Sequence, residues 1–155
     1  MHVKFKALVD ALDPKFQALI AMEPVTRQQL PREVPARGIY LFSRGREHLY
    51  VGRSNNIRKR LGLHCRPSSQ HNQATFAFRI ARFSTGRTDA AYTAEGSRVA
   101  LLADEPFREA FESAKREISL MDLRYVEESD PTCQALLEIY AATVLDTKFN
   151  DFENH

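Results

Sequence analysis

The strongest constraint on the fold lies in residues 38–52, GIYLFSRGREHLYVG. Residues 38–43 and 47–52 form two short alternating runs rich in Ile, Val, Tyr and Phe, residue types that suit a pleated, half-buried surface. Between Phe42 and His48 lie five residues, Ser43 to Glu47, with Gly45 among them to make a turn. The pattern predicts a β-hairpin. With the turn centred near Gly45, Tyr40 falls opposite Tyr50. The two phenols then share one face of the sheet, because side chains alternate with period two.

A hairpin alone does not bury a core, and the remaining segments supply what it needs. Phe5, Leu8, Val9 and Leu12 recur at helical spacing, and Asp13-Pro14 reads as an N-cap with Pro at the first helical position of a second helix carrying Phe16, Leu19 and Ile20. Pro24, Pro31 and Pro35 make residues 23–37 an extended connector. Ser54, Asn55 and Asn56 are N-cap candidates for a helix over 55–65 that buries Ile57 and Leu61, with Arg60 and His64 stacked beside that stripe. Residues 74–83 alternate like a strand, but flanking Ala, Arg and Thr85-Gly86 favour a helix. Residues 88–117 read as helix broken near Pro106, and 118–128 as a third strand. Asp130-Pro131 opens a helix over 131–145 whose apolar side carries Leu137, Tyr140, Ala141 and Val144, with Glu138 on its margin.

At 155 residues, 43% hydrophobic and 27% charged, the chain is that of one globular domain, 1–155. The formal net charge is only +2, yet its distribution is uneven. Residues 44–66 hold seven Arg/Lys and one acid, whereas residues 122–155 hold eight acids and two basic residues. Such a local basic patch marks one face, which suits phosphate as well as plain solvent. Cys65 and Cys133 make neither a disulfide framework nor a zinc pattern, and read as reduced, half-buried cysteines. Asp10, Asp13 and Lys15 interrupt any secretory apolar run, and no run approaches bilayer length. The expectation is a soluble, cytoplasmic protein without a membrane partner.

Gly38-Ile39-Tyr40 and Tyr50-Val51-Gly52, followed by Arg60 ten residues after the second tyrosine, resemble the GIY-YIG nuclease family, with Val in place of Ile in the second motif. His64 stands one turn beyond Arg60, Glu138 ends "QALLE" in a helix after the third strand, and Asn150 follows twelve residues later, all in the family's order. Arg53 stands where the family commonly has a basic residue, usually Lys. The resemblance covers 38–65 and about 119–152. It implies an α/β (α+β) fold: a small three-stranded antiparallel sheet flanked by helices. Residues 1–36 would be a helical N-terminal extension and 66–118 a helical insertion, where Arg66, Arg79, Arg82, Arg87 and Arg98 interleave with Phe76, Phe78, Phe83 and Tyr92. That mixture suits either a nucleic-acid surface or a helical layer with aromatic core.

The resemblance further implies a DNA endonuclease. Glu138 would hold one Mg²⁺ (or Mn²⁺) through a single carboxylate, with waters and phosphate completing the shell. Arg60 would face the phosphate with a permanent charge. One of Tyr40 and Tyr50 would act as base or orient the water; our reading favours Tyr40, with Tyr50 assisting. His64 would contact phosphate or relay a proton, and Asn150 would fix the geometry by hydrogen bonding. Arg53, Arg58 and Lys59 would contact nucleic acid. With five residues after Asn150, targeting would fall to the insertion, the N-terminal helices, a self-assembled dimer or a partner protein. Taken one at a time, these residues also suit blander roles: packing tyrosines, a solvated arginine, a surface acid. A non-catalytic nucleic-acid-binding module on the same fold is the alternative to an enzyme.

Overall fold

The computed structural model describes residues 1–88 and 97–153. The chain divides into two compact units, residues 1–60 with 121–150, and residues 61–120 with 151–155.

The first unit is built on three antiparallel strands, β1 (Gly38–Arg44), β2 (Glu47–Ser54) and β3 (Asp122–Glu127), in the order β2-β1-β3. Two helices, α2 (Leu12–Ala21) and α7 (Pro131–Leu145), pack on one face of the sheet. Their Leu12, Phe16, Leu19, Leu137 and Ala141 bury Ile39 and Leu41 of β1 and Val51 of β2. Asp130 caps α7 as the sequence indicates, its carboxylate accepting from the Cys133 N–H at 2.8 Å. Helix α1 (Val3–Asp10) precedes α2 and buries none of its residues. The α2 boundary falls earlier than Asp13-Pro14 suggests: the helix begins at Leu12, because a Pro in the first turn gives up no intrahelical hydrogen bond. Ile20 and Val144, expected on apolar faces, are exposed, since each lies at the rim of its helix's packed stripe.

The hairpin differs from its expected register in an instructive way. The turn is tighter than five residues: Arg44 pairs with Glu47 across Gly45-Arg46, and Gly45 takes a positive φ of 61°. Continued without interruption, that register would set Tyr50 against Leu41 and put the tyrosines on opposite faces. A bulge at Leu49 prevents this. Beyond it Phe42 pairs with Tyr50 and Tyr40 with Gly52. The phenols therefore share a face, as the alternation predicts, but as diagonal neighbours rather than as a directly opposed pair.

Helix α3 (Ile57–Cys65) opens at Asn56, whose side chain accepts from the Lys59 N–H at 3.2 Å. Ile57 and Leu61 are buried as expected. The second unit holds α4 (Thr75–Ser84), α5 (Arg98–Ala103) and α6 (Glu105–Ser119). Phe76, Phe78, Phe107 and Phe111 form its core, so the insertion's aromatics are largely packing residues, while Phe83 is exposed and Tyr92 lies outside the described residues. The break near Pro106 is the Asp104 cap at the start of α6. That helix runs on to Ser119, so β3 starts at Asp122 rather than at 118. Lys115 is fully buried and donates to the carbonyls of Pro67 (2.7 Å) and Ser69 (3.0 Å), with Glu112 2.9 Å away to balance its charge. Among the described residues no helix is long and apolar enough to cross a membrane.

Candidate active site

The face of the sheet opposite α2 and α7 carries Tyr40, Phe42, Tyr50 and Gly52. Both motif glycines are there for space. A Cβ on Gly52 would stand 2.2 Å from the Tyr40 Oη, so the second motif ends in Gly because the first tyrosine lies across it. A Cβ on Gly38 would stand 2.0 Å from the Val126 carbonyl oxygen, so the first motif begins in Gly because β3 passes close beside it. Tyr125 pairs directly with Tyr40 across β3; strand alternation alone could have pointed to it.

Tyr40 is 1% exposed and Tyr50 8%. Burial pushes the Tyr40 phenol well above its ordinary range, and the Tyr50 phenol adds to the rise. The Arg60 guanidinium opposes it through its charge and through a hydrogen bond to the phenol, and Glu138 pushes upward again. Tyr50, Arg60 and Glu138 thus all lie within electrostatic reach of one phenol.

Glu138 is partly buried on α7, and its Oε2 pairs with the Nε of Arg53 at 3.0 Å. Arg53 follows the second motif on β2. Sequence reasoning singled out both residues but not their pairing, which depends on how α7 lies across the strand. Asn150 is 99 residues from its partner. Its side-chain oxygen accepts from the Val51 N–H and its amide donates to the Val51 carbonyl, both at 2.8 Å. Thr147 donates to the same oxygen at 2.7 Å, and the Phe149 N–H donates to the Leu49 carbonyl at the bulge. The residue between Tyr50 and Gly52 is held from its open side by an amide.

The other residues singled out from the sequence divide. Arg58 is exposed, and its guanidinium donates to the carbonyls of Pro31 and Arg32, tying the connector to α3. Lys59 is exposed on the first turn of α3. His64 belongs to the second unit, fully buried with its ring 6.3 Å from that of Phe76. Neither cysteine is in a disulfide, and both are buried rather than half-buried. Among the described residues no three His, Cys, Asp or Glu gather as a metal-holding group.

The fold is thus an α/β domain with two phenols, a guanidinium and a helix-borne carboxylate brought together on a small sheet. Residues 36–97 match the family model described as GIY-YIG catalytic domain, and the match supports the GIY-YIG nuclease family for this chain. It takes in both tyrosine motifs and α3, and ends before the strand and helix that bring Glu138. Neither the curated proteins nor the solved structures gave a match.

Proposed function

We propose that the protein is a divalent-metal-dependent endonuclease that hydrolyses phosphodiester bonds in DNA. One observation carries the reading: the bulged hairpin sets Tyr40 and Tyr50 on one face, Arg60 acts on the Tyr40 phenol, and Glu138 of α7 is held 3.0 Å from Arg53 of β2. A core has no use for that combination, since each polar group costs free energy to bury unless it is partnered.

Glu138 is the residue that would hold the metal. A lone carboxylate suits Mg²⁺ or Mn²⁺, which keep several waters and take further oxygens from phosphate. Bound there, such a cation supplies Lewis-acid stabilisation and a more acidic water. Arg60 offers fixed donors to the phosphate oxygens where negative charge builds. Tyr40 keeps its proton in the resting protein, because burial outweighs Arg60. It orients the attacking water as a hydrogen-bond donor, and serves as base only once further positive charge favours its phenolate. Tyr50, on the same face, assists. Asn150 is a positioning residue: it fixes Val51 and with it the strand on which Tyr50 stands. Arg53, Arg58 and Lys59 add phosphate contacts. His64 is as deeply buried as Tyr40, so burial alone does not remove it from phosphate contact or proton relay.

The test is nicking of plasmid and branched DNA with Mg²⁺ or Mn²⁺. Glu138→Ala and Arg60→Ala are expected to lose about 10²-fold or more of the rate, the scale of losing one transition-state stabilising group, with circular dichroism unchanged. No metal-dependent cleavage of duplex, branched or single-stranded DNA would overturn the reading. Retained DNA binding that Glu138→Ala leaves unaltered would then favour a non-catalytic module.

A further inference from the structure

The Arg53–Glu138 pair does not fit a residue that simply waits for phosphate. Glu138 is the acid proposed to hold the metal, and the guanidinium already sits on it at 3.0 Å. Arg53 is about half exposed at 49%, whereas Glu138 is only 22% exposed. The carboxylate is therefore held by α7 while its counter-ion sits on a long, solvent-facing arm. A divalent cation on that carboxylate would face the guanidinium as like charge against like. The two cannot share the carboxylate without a cost, and the mobile partner is Arg53.

We propose that Arg53 is an exchangeable counter-ion: it neutralises Glu138 in the metal-free protein and moves to a substrate phosphate when a divalent cation takes its place. This rests on the reading of Glu138 as the metal ligand. It gives metal and DNA a shared dependence on one side chain. The cation releases an arginine, and the released arginine becomes available to phosphate. Metal and DNA then favour each other's binding, and in the metal-free protein the Glu138 charge is balanced by Arg53.

Two measurements test it, neither of them cleavage. The first is Mn²⁺ binding, read by the spectroscopic signal of free Mn²⁺ in electron paramagnetic resonance. Arg53→Ala is expected to bind Mn²⁺ more tightly than the parent by about two- to fivefold, the range of a partly exposed ion pair, and added salt should narrow the gap. Arg53→Lys should fall between the two. Equal or weaker Mn²⁺ binding in Arg53→Ala would overturn the exchange and leave the guanidinium as a mere orienting group. The control is Glu138→Gln. If it leaves Mn²⁺ binding intact, the metal role of Glu138 fails, and the exchange fails with it. If it abolishes binding while Arg53→Ala changes nothing, the exchange alone fails. The second measurement is affinity for duplex DNA with and without Ca²⁺. Arg53→Ala should weaken binding more when Ca²⁺ is present, because only then is the guanidinium free for phosphate. An equal loss in both conditions would overturn the proposal.

Discussion

The two faces of the β1–β2 hairpin are equally dry and differ in kind. On one, the side chains of Ile39, Leu41 and Val51 pack in an apolar cluster with α2 and α7. On the other, Tyr40, Phe42 and Tyr50 are almost as deeply buried, yet the face carries two hydroxyls and draws in Arg60. Both faces gain from apolar burial, but the second must also partner its polar groups. Burial on the first needs only matching volume, whereas on the second every polar atom must find a partner. The division sets an ordinary apolar core against a buried face that carries polar groups.

The comparison can be broken most directly on the apolar face. Leu41→Ala should lower unfolding free energy by about 2–5 kcal/mol in urea titrations, as for other large-to-small core changes, while folded protein keeps its cleavage rate. A rate loss larger than the change in folded fraction would mean that the two faces are not separable. Next, Gly52→Ala forces a methyl group against the Tyr40 ring. We expect a loss of about 1–3 kcal/mol, the usual cost of overpacking, together with a drop in nicking that core variants of equal stability do not share.

Tyr40→Phe tests the polar face through pH. The folded-state pKa of Tyr40 is raised, so the folded chain keeps a proton that the unfolded chain releases above pH of about 10. Stability contributed by the neutral phenol is complete below that pH and falls as the pH climbs beyond it. Tyr40→Phe should make the alkaline fall shallower, and phenolate absorbance from Tyr40 should appear only with unfolding. The smallest effect is expected at the hairpin's other end. There the His48 imidazole lies 2.7 Å from the Ser43 hydroxyl, and burial, then Arg124, holds its pKa below the ordinary value. The folded state thus resists protonation, so stability should dip as the pH falls below about 6.5. His48→Gln should blunt that dip in urea midpoints measured at pH 5.5 and 7.5.

What could be read from the sequence was what is local or periodic. Asp130-Pro131 announces the start of α7, and Ile57 with Leu61 announces the buried side of α3, because capping and helical spacing act over a few residues. The three-stranded sheet followed from motif and order, and the same motif named the candidate site residues. The hairpin register did not, because nothing in the spelling of residues 38–52 says which residue bulges. Leu49 is marked only by the Phe149 N–H that its carbonyl meets from far along the chain. The Arg53–Glu138 pair and the burial of His64 were hidden for the same reason: both depend on how distant helices are laid down.

Asn150 has a consequence for the order of events in folding. β2 is an edge strand, and its outward N–H and carbonyl at Val51 are satisfied by a side-chain amide acting as one residue of a missing fourth strand. Both tyrosines precede that amide by a hundred residues or more. Until it arrives, the strand beside the tyrosine face is an open template for another chain. A shortened chain ending before Thr147 should therefore self-associate, because the outward N–H and carbonyl of Val51 are left without the Asn150 amide.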